Sequence, residues 1–184
     1  MGIAFFAVLA VLGVLIVWGI SIYNRLVKLS NMRDEAWSGM DVQLKRRFDL
    51  IPNLVETVKG YATHESETLA NVTKARAAIS QAGSVEERMQ GENTLTGTLK
   101  SLFAVAEAYP DLKANENFLG LQNTLEKLED EIQLSRRYYN GAVRDYNTAI
   151  EVFPAVLIAN QLGYKKSVFF EAEEASKSVP GVRF

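Results

Sequence analysis

The chain has 184 residues, with 20 Lys and Arg against 22 Asp and Glu and a formal net charge of -2, so no concentrated basic surface argues for nucleic acid. Cysteine is absent and His64 is the only histidine, which excludes disulfides, thiolate catalysis and cysteine metal sites together. The length beyond the first two dozen residues suits one domain with a real core, since a chain of about 150 residues buries roughly two-thirds of its surface.

From Ile3 to Ile20 the sequence reads IAFFAVLAVLGVLIVWGI, and no charge appears before Arg25. Extended across Ser21 to Ile22 and Tyr23, this makes a helix of about 30 Å at ~1.5 Å per residue, the thickness of a bilayer's hydrocarbon core. Residues 1–24 are therefore expected to be a transmembrane anchor that includes Ile3, Phe5, Phe6 and Leu15, with Trp18 and Tyr23 near one interface. A cleavable signal peptide fits poorly, because only Met1 and Gly2 precede the run and no A-x-A site follows it. Arg25, Lys28 and Arg33 come directly after the span. By the positive-inside rule they hold the rest of the chain in the cytoplasm and leave the amino terminus outside.

The next 129 residues, 25–153, read as helices. Leu26, Leu29, Ala36, Met40, Leu44, Ile51, Leu54, Val58 and Tyr61 keep three-and-four spacing, with Arg33 and Arg47 on the same stripe. Pro52 predicts a kink or a fresh start, which separates a helix over 25–51 from one over 53–82, with Asp49 as a candidate N-cap. Ser84-Val85-Glu86-Glu87 is a capping box that opens a helix over 85–109, softened by Gly91 and Gly97 and stopped by Pro110. The most regular segment is 116–153, where Phe118, Leu121, Leu125, Leu128, Ile132, Ser135, Tyr139, Ala142, Tyr146 and Ala149 alternate spacings of three and four, as in coiled coils and left-handed bundles. The tail, 154–184, holds the short apolar stretch AVLIANQL, closed by Gly163, then Phe169-Phe170 and a terminal PGVRF. The expected fold is all-α: one transmembrane helix, then an antiparallel four-helix bundle with long helices.

Candidate chemistry is sparse. A ferritin-like di-metal site needs a Glu-x-x-His on each of two helices, and a single histidine cannot supply it. Tyr61, not a carboxylate, stands three residues before His64, so His64 reads as a solvated surface residue. Neither a G-x-S-x-G elbow nor a phosphate-binding glycine loop is present. No catalytic residue, cofactor or metal is expected. The densest polar cluster is DVQLKRRFD, residues 41–49. Lys45 would lie about 33 Å from Tyr23 along a straight helix at ~1.5 Å per residue, far beyond a Debye length of ~8 Å. Lipid headgroups are thus out of its reach. Lys45, Arg46 and Arg47 are expected to pair with Asp41, Asp49 and acids on neighbouring helices, the Arg47 stem covering apolar surface, with a partner-binding patch as the alternative. Tyr139-Asn140 and Tyr146-Asn147 lie one heptad apart, each Tyr on the core stripe with its hydroxyl finding a buried partner and each Asn beside it. Asn140 and Asn147 join the candidate partner surface.

The ordered strings EAWSGMDVQLKRRFDLIPNLVETVKGYATHE, AEAYPDLKANENFLGLQ, RRYYNGAVRDYN and FFEAEEASKSVPGVRF resemble the LemA family of bacterial membrane-anchored proteins over essentially the whole chain. The resemblance implies an amino-terminal membrane helix, a short outside terminus, a four-helix bundle and a place in the bacterial cytoplasmic membrane. It supplies no catalytic residues to carry over. Some relatives occur with membrane-bound zinc proteases, and one is linked to the formation of a membrane organelle. The expected function is a non-enzymatic single-pass scaffold or adaptor that binds protein partners and self-associates; the alternative is an accessory subunit of a membrane protease in envelope quality control.

Overall fold

A computed structural model describes residues 2–62 and 64–171, and among these every regular element is helical. In chain order they are α1 (Gly2–Lys59), α2 (Ser66–Gln81), α3 (Val85–Ala106), α4 (Pro110–Lys113), α5 (Glu116–Glu151) and α6 (Ala155–Gln161). The terminal PGVRF and the acidic residues around Glu173 lie outside the described residues. The described residues form two compact units, one of residues 2–39 with Arg137–Phe169, the other of Met40–Arg136 with Phe170 and Glu171.

In the first unit, α1 begins as the apolar run read from the sequence. None of its side chains from Ile3 to Trp18 is buried; Ile3 is 89% exposed and Phe6 71%. The helix is long and apolar enough to cross a membrane. Protein covers it only further on, where Leu26 packs with Tyr146, Ala149 and Ile150 of α5 and Ala159 of α6. The change follows the sequence, since the polar residues that begin at Asn24 leave only one apolar stripe to bury. α6 ends in a Schellman motif, with the Tyr164 N–H donating to the Ala159 carbonyl and the Gly163 N–H to that of Asn160. Gly163 sits there at φ 74°, the left-handed region that glycine enters without Cβ strain.

In the second unit, Ile51, Leu54, Val58, Val72, Ala75, Leu95, Leu99, Leu102, Phe118 and Leu125 share one core. These come from α1, α2, α3 and α5. The helix break predicted at Pro52 does not occur, and α1 runs through it to Lys59. Proline removes the N–H that would have bonded the carbonyl four residues back, here that of Phe48. The Arg76 Nε of α2 donates to that carbonyl at 3.4 Å, and its guanidinium stacks on the Phe48 ring at 4.1 Å. A side chain from another helix thus replaces the missing ladder bond.

The Ser84 cap forms as expected on its own side, the hydroxyl accepting from the Glu87 N–H at 3.1 Å. The Glu87 carboxylate, however, accepts from Gly83 rather than from Ser84, at 2.7 Å. Gly91 is buried in α3 against Ile79, whose Cγ1 would stand 2.9 Å from a Cβ at that position. α3 stops at Ala106, short of the predicted Tyr109, since a residue before proline is driven to extended angles and Tyr109 has φ -117° and ψ 91°. Asn115 caps α5 by accepting from the Phe118 N–H at 3.0 Å.

Candidate functional site

The charged stretch of α1 divides by helical phase. Lys45 and Arg46 are exposed, whereas Arg47 is only 1% exposed. Arg47 falls on the stripe of Met40, Leu44 and Ile51, so the helix turns it inward to acids on neighbouring helices, as expected, and away from the partner surface that was the alternative. Its Nη2 meets the Glu92 carboxylate of α3 at 2.7 Å, and its Nη1 meets Glu129 of α5 at 2.6 Å and the Thr96 hydroxyl at 2.8 Å. Asp41 pairs instead with Arg88 at 2.6 Å, and Arg88 in turn approaches Glu92 at 3.9 Å. Asp49 is exposed.

Glu92 is fully buried, and burial pushes its carboxyl above the usual range against the opposing pull of Arg47. One of its oxygens, Oε1, has no hydrogen-bond donor. The signal for this residue was present in the sequence: Met89, Glu92, Leu95 and Leu99 follow one stripe, and a carboxylate on such a stripe needs a cation from elsewhere. Beside the ion pair lies a cleft of about 160 Å³ with apolar walls from Leu99, Phe103 and Leu125. Burial also lowers the Arg136 guanidinium below its ordinary value. Arg136 lies over the Phe170 ring at 4.2 Å.

The heptad-spaced tyrosines and asparagines serve the segment after α6. Tyr139 donates to the Val168 carbonyl at 3.0 Å and Tyr146 to that of Lys165 at 2.9 Å. Asn147 takes both backbone groups of Ser167, donating to its carbonyl and accepting from its N–H, each at 2.9 Å. A primary amide thereby satisfies both backbone groups of a residue that no regular element pairs. The Ser167 hydroxyl accepts from Arg33, whose guanidinium lies 4.3 Å from the centre of the Tyr146 ring. Burial alone would lower the Arg33 guanidinium, but Asp34 and Tyr146 raise it overall.

Asn147 is only 8% exposed and so leaves the candidate partner surface, its amide being consumed by Ser167. Asn140, beside it, is half-buried. Trp18 and Tyr23 are exposed at 49% and 46%, at the polar end of the apolar run. His64 is exposed, and no group of three or more metal-ligating side chains occurs among the described residues.

The fold and these sites define a protein that is helical throughout its regular described elements, whose first helix opens with an apolar run of membrane length and whose second unit holds a buried ion pair between Arg47 and Glu92. Residues 36–184 match the model of the LemA family, and the chain belongs to that family. It is similar to Protein LemA of Metamycoplasma hominis, 29% identical over 159 residues that make up 84% of this chain and 71% of the relative. It also resembles Magnetosome protein MamQ 2 of Paramagnetospirillum magneticum, 26% identical over 83% of this chain and 66% of that protein. Magnetosome protein MamQ of Magnetospirillum gryphiswaldense is 24% identical over the same shares. The chain thus spans about two-thirds of the length of these relatives.

Proposed function

We propose that this chain is a non-enzymatic, single-pass scaffold or adaptor of a bacterial cytoplasmic membrane, whose antiparallel helical bundle lies in the cytoplasm, binds protein partners and self-associates. One observation carries the reading: the uncovered apolar run and the buried stripe of α1 belong to one unbroken helix, so whatever anchors the run also tethers the domain. Lys45 and Arg46 form the exposed cationic part of the partner surface. The basic residues after the run, Arg25 and Lys28, support the orientation.

Two measurements test this. The full chain in mild detergent should have a mass above that of the monomer by light scattering; a strictly monomeric, partner-free sample would count against self-association. A single cysteine at Gly2 should react with a membrane-impermeant thiol reagent in intact cells, and one at Lys45 should not. The reverse pattern would overturn the orientation. Crosslinking from Arg46 that repeatedly recovers a membrane protease would replace the scaffold with the accessory-subunit reading.

A further inference from the structure

Within the first unit a cavity of about 170 Å³ opens between α1 and the corner that joins α5 to α6. Trp18, Ile22 and Arg25 line it from α1, and Val152, Phe153 and Ala155 from the corner. The three α1 residues are spaced by four and three, so they stand on one helix face. They also mark the boundary along α1, Trp18 lying inside the apolar run and Arg25 being its first charge. At ~1.5 Å per residue the step from Trp18 to Arg25 is about 10 Å, enough to cross the ~5–8 Å interfacial layer of one bilayer leaflet.

The corner shares this cavity with Trp18, so it lies at the same level along α1. It is apolar where water would be its only other neighbour: Phe153 is 79% exposed, Leu157 63% and Val152 44%. Arg25 is exposed and makes no ion pair among the described residues. Apolar side chains beside a lone cation, at the level where a membrane helix leaves the hydrocarbon, fit an amphiphile with an anionic head.

We propose that the α5–α6 corner is a second membrane contact and that the cavity seats one anionic phospholipid, with its phosphate at Arg25 and an acyl chain against Ile22 and Phe153. The inference rests on the reading of α1 as the membrane span. It adds to that reading a point at which the domain itself touches the bilayer.

The test uses the full chain in phosphatidylcholine vesicles containing phosphatidylglycerol. With no native cysteine present, a polarity-sensitive fluorophore is attached through a single cysteine at Phe153, at Leu12 in the middle of the apolar run or at Glu126, and is quenched by lipids that carry a nitroxide at shallow or deep positions. The expected pattern is shallow quenching at Phe153, deep quenching at Leu12 and none at Glu126. Deep quenching at Leu12 without quenching at Phe153 overturns the second contact and leaves the span intact. No quenching at Leu12 overturns the span and this inference with it. For the seated lipid, native mass spectrometry of the chain released from the same vesicles should retain one phosphatidylglycerol. Arg25→Gln should reduce that retention about fivefold, the effect of one basic residue at an anionic surface. Retention that is equal in Arg25→Gln, or equal for phosphatidylcholine, overturns the lipid site; circular dichroism of each variant establishes that its helices are kept.

Discussion

Replacing Arg47 by Met should be among the most damaging single substitutions in the domain. Met keeps most of the apolar stem, so the change removes charge and hydrogen bonds rather than volume. It leaves the Glu92 carboxylate, at 0% exposure, without a hydrogen-bonded cation, Arg88 standing off at 3.9 Å. Breaking a buried ion pair from one side typically costs about 3–5 kcal/mol, a large share of the 5–15 kcal/mol that holds a domain folded. Glu129 adds little to this loss, since it is 29% exposed and can turn to water. Urea denaturation of the full chain in detergent, followed by circular dichroism at pH 7, measures the loss. In a Glu92→Gln background the orphaned charge no longer exists, and the Arg47→Met cost should fall by at least half. A loss below about 1 kcal/mol, or an equal loss in both backgrounds, would refute the claim that Arg47 works by neutralising Glu92.

Other substitutions probe the remaining contacts. Because burial holds the Glu92 carboxyl above its ordinary value of 4.5, this group keeps its proton in the folded protein just above pH 4.5 where the unfolded chain has lost it, and its contribution to stability should fall as pH rises through that window. Glu92→Gln should flatten the decline, and denaturation midpoints collected from pH 4.5 to 8 show whether it does. Arg76→Ala leaves the Phe48 carbonyl without its donor and removes the ring contact, at a cost of about 1–3 kcal/mol. Pro52→Ala supplies an N–H for the same carbonyl, so in that background the Arg76→Ala cost should shrink to the stacking alone; a double-mutant cycle with no coupling would contradict the repair. Asn147→Ala releases both backbone groups of Ser167, worth about 1–3 kcal/mol together. The Ser167 amide should then exchange with solvent at least tenfold faster by hydrogen-exchange NMR, and an unchanged rate would mean that other contacts hold the segment.

The sequence determined those features that depend on neighbours along the chain. The apolar run needs no partner to be recognised, and its helix is present because nearly every residue from Ile3 to Ile20 is apolar. The stripes on α1 and α5 follow from helical phase alone, and the residues named on them largely form the cores, Leu44 and Ile132 among them. Phase even placed Arg47 on the buried stripe, although its sequence neighbours Lys45 and Arg46 are exposed.

Tertiary structure decided what those inward polar groups meet. Glu92 and Glu129 stand 45 and 82 residues from Arg47, and no local pattern states that distance. The same holds at Pro52, where local chemistry removes a hydrogen bond and predicts a break, while Arg76, 28 residues from the Phe48 carbonyl left without its donor, supplies the replacement. Asn147 reads as surface in the heptad because its partner is an irregular segment with no periodicity to announce it. Periodicity is carried by adjacent residues and so survives in the sequence. Pairing of buried polar groups depends on which helices pack together, and only the fold brings those groups within hydrogen-bond reach.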